Sequence, residues 1–263
     1  MRNVVREKKI YCGEKYMEVD IYNHTIQTPL KKGRAKKKKE SPPKQRNLND
    51  KNARRYFIQL VNTNFGDEDL HVTLTYAEAP ETIEEADKEV SNYLRRISHR
   101  MKRDGLTTLK YILITEGGNG TGDKKKRIHH HIIMNGGLAR DVVEDLWRRP
   151  KKKGQKKGDW IGFVNADRLK TNDYGLEAVA RYLMKSPSGK KRWSSSKNLD
   201  KPVSRPNDHK YSRRQVERIV RDELDNQLYW KKIYPEWDVT QSKAVYNDIN
   251  GWSIYLKLRK ARE

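Results

Sequence analysis

Apolar and polar positions alternate most clearly in the segment LHVTLTY, residues 70–76, where Val72 and Leu74 share one face and threonines share the other. Side chains of a strand point alternately to its two faces, so this pattern predicts a half-buried strand. Behind Thr82, apolar residues recur every three or four positions as far as Met101, which predicts a capped amphipathic helix. The same two periodicities predict the following elements in chain order: strand 70–76, helix 83–103, strands 109–116 and 127–134, helix 138–148, strand 160–169 and helix 174–185. This order favours an α+β fold in which helices pack on an antiparallel sheet.

The two ends of the chain carry weaker patterns. Residues 8–28 are compatible with one or two short strands, and a helix is predicted to begin at Asn49 or Asp50. Near the C-terminus, residues 211–230 predict one helix and residues 244–260 predict a hairpin with an Asn-Gly turn.

These patterns divide the chain into three parts. We expect an N-terminal extension with a basic arm over residues 1–54, a central domain over residues 55–190 and a small C-terminal accessory region over residues 191–263. The central domain is expected to hold an antiparallel sheet of about five strands, flanked by helices. The accessory region can either pack against the central domain or bind DNA, since its tryptophans suit both base stacking and apolar packing.

Composition adds a large excess of positive charge. The 263 residues include 58 Lys and Arg against 35 Asp and Glu, which gives a formal net charge of +23 and an isoelectric point near 9.9. Such a charge is typical of a protein with a polyanionic partner, although a highly solvated surface is the alternative. No apolar run approaches the roughly 18 residues that span a bilayer, and the N-terminus lacks the apolar segment of a signal peptide. We therefore expect an intracellular protein without membrane contact, and the single Cys12 excludes an internal disulfide.

The basic residues concentrate in three places. Residues 31–46 contain nine Lys or Arg and one Glu without an apolar period, so we expect a disordered basic arm, or else a solvated linker. A loop at 148–159 and a segment near 190 are similarly basic. The residues expected to contact nucleic acid are Lys36, Lys37, Lys38, Lys39, Lys151, Lys152, Lys153, Lys190, Lys191 and Arg192.

Three consecutive histidines interrupt an apolar strand. Because side chains alternate along a strand, His129 and His131 share one face and His130 points from the other. If this strand pairs with the preceding one as a hairpin, Glu116 lies opposite residue 128, with its carboxylate beside His129. Two imidazoles and a carboxylate can hold a divalent cation and leave positions open for substrate. A histidine pair alone is more often structural, and the acidic third ligand favours a metal site.

The helix at 174–185 carries a tyrosine at the edge of its apolar face. Tyr182 lies at the margin of the apolar stripe, and Lys185 follows on the same flank. Such a tyrosine can be an ordinary core residue, or it can direct its phenol into an adjoining site, where a lysine can stabilise a phenolate or contact phosphate. Together with a metal site and a basic chain, these residues indicate phosphoryl transfer through a phosphotyrosine. Tyr174 is a weaker candidate for the nucleophile.

Three motifs in order give residues 68–190 a resemblance to a known family. HVTLTY at 71–76 is similar to the family's first motif, a hydrophobic strand rich in threonine. HHH at 129–131 resembles its His-hydrophobic-His metal motif, with His130 in place of the usual bulky apolar residue, and YLMK at 182–185 resembles its Tyr-x-x-Lys nucleophile motif. The family is that of the HUH endonucleases, and within it the rolling-circle replication initiators of small plasmids and phages.

This resemblance implies an HUH endonuclease fold and a nick in single-stranded or hairpin origin DNA through a 5′-phosphotyrosine, with rejoining of the ends after replication. The implied setting is the cytoplasm of a bacterial host, with the host replication machinery as partner. The residues that the resemblance assigns are Glu116, His129 and His131 as ligands of Mg²⁺ or Mn²⁺, and Tyr182 and Lys185 for catalysis. Two alternatives remain, a non-catalytic DNA-binding module with a structural metal and a related HUH transposase or relaxase.

Deleting residues 31–46 is expected to flatten the salt dependence of single-strand binding. If about four of the arm's cations contact phosphate, at roughly −0.7 each, the arm contributes about −3 to the log–log slope of affinity against salt. Salt titrations of the full-length and arm-deleted proteins measure this difference. Single-turnover cleavage at saturating oligonucleotide should hardly change, because no arm residue is assigned to the metal site or the nucleophile. Equal slopes would show that the arm does not bind DNA.

Overall fold

A computed structural model of the protein describes residues 2–26, 42–118, 126–185 and 191–261. Over these residues it is an α+β structure with two five-stranded sheets and six α-helices. Its strands are β1 Arg2–Cys12, β2 Tyr16–Ile26, β3 Leu70–Leu74, β4 Tyr111–Glu116, β5 His129–Met134, β6 Val164–Arg168, β7 Ser194–Ser195, β8 Val203–Tyr211, β9 Trp237–Asn247 and β10 Gly251–Lys260. Its helices are α1 Pro43–Asn64, α2 Ile83–Arg103, α3 Arg140–Asp145, α4 Glu177–Leu183, α5 Arg213–Arg218 and α6 Gln227–Ile233, with a π-helical turn at Ile219–Glu223. None of the helices in this described part of the chain is long and apolar enough to cross a membrane.

The α+β class is confirmed, but the sequence predicts one sheet of about five strands and the structure has two. The terminal sheet has the strand order β8-β1-β2-β10-β9, and the central sheet has the order β6-β3-β5-β4-β7. Neighbouring strands are antiparallel in both. The terminal sheet arises because β2 pairs with β10 from the far end of the chain, and pairing across such a distance leaves no signal in local periodicity.

The chain divides into two compact units, each with one of the sheets. The terminal unit comprises residues 1–63, 172–177 and 201–263, and the central unit comprises residues 64–171 and 178–200. In the terminal unit, helices α5 and α6 pack on one face of the sheet. The buried core of that face includes Met17, Val19, Ile21, Val216, Ile219, Trp230, Ile254 and Leu256. Strands from the N-terminal extension and from the C-terminal region therefore share a single sheet.

Helix α1 begins earlier than predicted. It starts at Pro43 and not at Asn49 or Asp50. Proline suits the first turn of a helix, because its missing N–H would have no partner there in any case. Residues 43–46 of the predicted disordered arm are therefore helical, and residues 31–41 of the arm lie outside the described residues.

The single helix predicted at 211–230 is divided into α5, the π-helical turn and α6. The side chain of Asn226 accepts hydrogen bonds from the N–H groups of Leu228 and Tyr229, which caps α6 as a separate helix. The hairpin predicted at 244–260 is confirmed as β9 and β10.

The central unit keeps the predicted order of elements, from β3 through α2, β4, β5, α3 and β6 to α4. Helix α2 begins behind Thr82, whose hydroxyl accepts a hydrogen bond from the N–H of Glu85 at 3.1 Å. One face of the central sheet packs with α2 and α3 into an apolar core. Its buried members include Leu70, Val72, Leu74, Val90, Ile97, Leu113, Ile132, Met134, Val143 and Ala166. Any polar chemistry on the central strands must therefore lie on the other face.

Two buried carboxylates on β2 tie helix α1 to the terminal sheet. Arg55 of α1 donates from Nε to Glu18 at 2.6 Å, and from its two terminal nitrogens to Asp20 at 2.9 and 2.7 Å. Gln59, one turn further along α1, donates to Glu18 at 2.7 Å. Burying a carboxylate costs free energy unless the carboxylate is paired and hydrogen-bonded. The guanidinium of Arg55 offsets this cost for Glu18 and Asp20.

Replacing Arg55 with Met is expected to lower the free energy of unfolding by about 2–3 kcal/mol, because Glu18 and Asp20 then stay buried without a cation. The Arg55 side chain is 37% exposed, so water reduces the cost below that of a fully enclosed pair. Urea denaturation measures the change. Arg54→Met, at an exposed position on the same helix, is the matched control and should cost less than about 0.5 kcal/mol. Equal losses in both variants would mean that the ion pairs do not hold α1 in place.

Candidate functional site

Strand β5 lies in the middle of the central sheet, between β3 and β4. The alternation of a strand divides its three histidines between the two faces. The prediction that His130 points away from His129 and His131 is confirmed, because His130 is fully buried on the core side and the other two share the opposite face.

His130 is held by two hydroxyl groups. Its Nε2 lies 2.7 Å from Tyr76 Oη, and its Nδ1 lies 3.0 Å from Thr115 Oγ1. Burial lowers the pKa of His130 to about 3, so the ring is neutral at physiological pH. His130 is therefore a hydrogen-bonded core residue and not part of the candidate site.

The carboxylate of Glu116 faces His129 directly. Strands β4 and β5 pair with Glu116 opposite His129, one residue further than the predicted pairing with residue 128. Directly opposed residues of an antiparallel pair share a face and lie close together. The Oε2 atom of Glu116 accordingly lies 3.6 Å from Nε2 of His129.

Gly117 shapes the start of the connection between these strands. Its φ is +90°, and a Cβ at this position would lie 2.2 Å from the carbonyl oxygen of Arg127, so only glycine fits. The same carbonyl accepts a hydrogen bond from Nδ1 of His129 at 3.0 Å. Because Nδ1 carries the proton, Nε2 of His129 is the nitrogen available to a metal.

The two nitrogens of His131 have different surroundings. Nδ1 lies 3.2 Å from Nε2 of His71 and 3.3 Å from Oγ1 of Thr73, both on β3. Nε2 is buried and has no hydrogen-bond partner within the described part of the chain. A buried polar atom without a partner costs about 1–3 kcal/mol, and a metal ion would satisfy this one.

The ligand atoms of Glu116, His129 and His131 all lie within 4.8 Å of one another. Burial lowers the pKa of His131 to about 3, which keeps its imidazole neutral and able to coordinate. Burial raises the pKa of Glu116, while His129, Lys126 and Lys185 act in the opposite direction and favour the carboxylate. Two imidazoles and a carboxylate that lie this close together fit a divalent metal ion.

Tyr182 of α4 is the aromatic neighbour of this group. It is 59% exposed, and its ring centroid lies 5.7 Å from that of His131 in an edge-to-face arrangement. Lys185 is exposed just beyond the helix and is near enough to Glu116 to favour its charged form. Both residues therefore lie beside the candidate metal group, whereas Tyr174 belongs to the terminal unit.

The basic residues predicted to bind nucleic acid are only partly described. Residues 151–153 are exposed in the loop before β6, and Lys191 and Arg192 are exposed before β7. Residues 36–39 and Lys190 lie outside the described residues.

The sequence predictions missed the contribution of β3. His71 and Thr73 contact Nδ1 of His131 and leave Nε2 for a metal, and such contacts orient a coordinating histidine. The alternation of LHVTLTY already puts His71 and Thr73 on one face. Only the pairing of β3 beside β5 shows that this face carries His131.

The fold and the site define an α+β protein with a His-x-His candidate metal group on an antiparallel sheet. Residues 69–188 match one family model, described as Replication-associated protein ORF2/gene 2 protein. The matched segment contains the whole candidate metal group together with Tyr182 and Lys185. No curated protein and no solved structure matches the chain.

Replacing His129 or His131 with Ala is expected to weaken Mn²⁺ binding by more than about 100-fold, because each change removes a candidate ligand. Loss of a residue that only contacts a ligand typically costs about 10- to 100-fold. Glu116→Gln should also weaken binding, because a neutral amide replaces the anionic ligand. Titration calorimetry and the electron paramagnetic resonance of Mn²⁺ measure this.

Two further histidine variants serve as controls for the metal experiment. His99→Ala changes an exposed histidine of α2 and should leave Mn²⁺ affinity unchanged. His130→Ala should lower thermal stability, since it removes a buried hydrogen-bonded ring, yet the folded fraction should still bind the ion. Full Mn²⁺ affinity in His131→Ala would contradict the assignment of ligands.

Proposed function

We propose that the protein is a rolling-circle replication initiator of the HUH type, which nicks one strand of origin DNA with a tyrosine nucleophile and later rejoins the ends. The observation that carries this proposal is the ring of Tyr182, 5.7 Å from the ring of His131 and beside three clustered ligand atoms. The family match over residues 69–188 supports it, since that family comprises replication-associated proteins.

The metal group would hold Mg²⁺ or Mn²⁺, because carboxylate ligands suit both ions and burial keeps the imidazole of His131 neutral. When bound, such an ion polarises a phosphate oxygen and offsets the negative charge that develops in phosphoryl transfer. The protein contributes ligands of fixed orientation. The carbonyl oxygen of Arg127 accepts from Nδ1 of His129, and side chains of β3 contact Nδ1 of His131, so Nε2 of each ring is left for a metal.

Tyr182 would attack the phosphorus atom of the scissile phosphodiester with its phenol oxygen. The phenol proton passes to solvent, the bond between phosphorus and the 3′ oxygen breaks, and that oxygen takes up a proton to become a 3′-OH. The 5′ phosphate stays attached to Tyr182. One phosphate ester bond forms as another breaks, so a 3′-OH can reverse the step and rejoin the strand. The exposed phenol is accessible to a DNA strand, and the ammonium of Lys185 is placed to stabilise a phenolate or a phosphate.

The substrate in this proposal is single-stranded DNA or an extruded hairpin at a replication origin. The net charge of +23 favours a polyanion. The 3′-OH left by the nick would prime synthesis by the replication machinery of a bacterial host, in whose cytoplasm the protein would act.

Two alternatives are less well supported. A non-catalytic DNA-binding module would use the metal group only to stabilise its fold, and an exposed phenol beside the ligand atoms would then have no function. A transposase or relaxase would share the chemistry and differ in substrate, and the match to replication-associated proteins favours an initiator.

The variant Tyr182→Phe is expected to form no covalent adduct with DNA, while its affinity for DNA stays within about twofold of the wild type, because the phenol oxygen makes the new bond but contributes little to binding. The assay incubates the protein with a labelled library of single-stranded oligonucleotides and Mn²⁺, and a denaturing gel detects the adduct.

Tyr174→Phe is the matched control for this assay and should form the adduct normally. An adduct in Tyr182→Phe would assign the nucleophile to another residue. Binding of both Mn²⁺ and DNA by the wild type without any adduct would favour the non-catalytic module.

A further inference from the structure

Phe163 is an exposed aromatic residue of the central unit for which the proposed chemistry has no use. It lies directly before β6 and is 68% exposed, more than Tyr182 at 59%. Single exposed apolar side chains are common on protein surfaces and need no function. Phe163 differs from such isolated side chains in its position in the sheet, in its fixed backbone and in its neighbours.

Phe163 extends a row of side chains that crosses the sheet through the candidate metal group. Its carbonyl oxygen accepts hydrogen bonds from the N–H of Thr75 at 2.8 Å and from Oγ1 of Thr75 at 3.1 Å, which continues the pairing of β6 with β3 by one residue. The pairing of β3 with β5, continued in the same way, brings Thr75 beside His129, and His129 faces Glu116. The four residues therefore stand in one row on one face of the sheet. Neighbouring strands are about 4.8 Å apart, so the main chain of Phe163 lies about 10 Å from that of His129.

The backbone that carries Phe163 is fixed on both sides. The side chain of Ile161 is buried in the apolar core, and its N–H donates to the carbonyl oxygen of Trp147 at 3.2 Å. A Cβ at Gly162 would lie 2.3 Å from the carbonyl oxygen of Thr75, so only glycine allows this close approach. An exposed ring on a fixed strand loses little conformational freedom when it binds a ligand.

The surroundings of Phe163 favour nucleic acid over an apolar partner. The adjacent row on the same face holds the polar side chains of Asn165 and Thr73, whereas surfaces that dock proteins are typically continuous apolar patches. The loop before it carries the exposed lysines 151–153, and Trp160 is 47% exposed with the guanidinium of Arg148 3.6 Å from its ring centroid. Lysines that meet phosphates and rings that meet bases together match a single strand of nucleic acid.

We propose that Phe163 is a base-stacking residue, on which a nucleotide close to the scissile phosphate places its base while the metal group and Tyr182 engage the phosphate. The identity of the ligand as single-stranded DNA rests on the proposed function. Every base has a π face, so this contact positions the strand without selecting the origin sequence.

Two labelled strands test this inference, a short oligothymidylate and a strand of equal length in which every base is replaced by an abasic site. Fluorescence anisotropy measures their affinities in the Tyr182→Phe background, where no strand is cut. On the oligothymidylate, Phe163→Ala is expected to bind about 5- to 100-fold more weakly, whereas on the abasic strand it should bind as well as its parent. Phe163→Trp should retain affinity, and Phe163→Leu, which is apolar without a ring, should behave as Phe163→Ala.

Leu228→Ala is the matched control, because it removes a comparably exposed apolar side chain from helix α6, and it should change neither affinity. An unchanged affinity of Phe163→Ala for the oligothymidylate, or an equal loss on both strands, would overturn the inference. So would a change in the sedimentation of Phe163→Ala, which would assign the ring to a contact between copies of the chain.

The adduct assay separates this inference from the proposed function. If the ring-dependent affinity is observed but the wild type never forms an adduct, the nicking proposal fails and the stacking site stands. If the adduct forms normally and affinity does not depend on the ring at residue 163, only the stacking site fails.

Discussion

The pairing register of β5 with its two neighbouring strands is the constraint on which the candidate site depends. A slip of one residue moves every side chain of a strand to the opposite face. Here a slip would carry His129 and His131 towards the apolar core and turn Ile132 away from it. His130 strengthens the constraint, because hydroxyl groups from two other segments bind its buried ring. The core thus fixes the register, and this packing aligns the candidate ligands on the other face of the sheet.

The adjacent histidines His130 and His131 differ in their hydrogen-bond environment and not in their charge state. Burial lowers the pKa of both His130 and His131 to about 3, so neither ring is charged at neutral pH. Both nitrogens of His130 have hydroxyl partners, whereas Nε2 of His131 has no partner among the residues that the structure describes. Hydrogen-bond satisfaction, and not basicity, therefore distinguishes a core histidine from a candidate metal ligand.

Local periodicity predicts the features that depend on near neighbours in sequence. The order of elements from β3 to α4, the cap at Thr82 and the shared face of His129 and His131 all follow from spacings of two to four residues. The partner of Glu116 is predicted one residue away from the observed one, because the close approach at Gly117 and the length of the connection set the register without any periodic signal. Pairing between strands that are distant in sequence, such as β2 with β10 or β3 with β5, likewise leaves no signal in local periodicity.

Both faces of the central sheet contribute to stability, and one of them also carries the candidate metal group. The face opposite the α2 and α3 core buries Ile112, Ile114 and Ile133 beside the candidate ligands, so packing holds the strands from both sides. Under the proposed function this fixed arrangement matters for strand rejoining. The ligands belong to fixed strands and Tyr182 belongs to a helix, so a phosphate can stay at one place while its ester bond passes between the phenol and a 3′-OH. Covalent attachment then retains the 5′ end, and a 3′ end held only by stacking and ionic contacts is free to leave for extension.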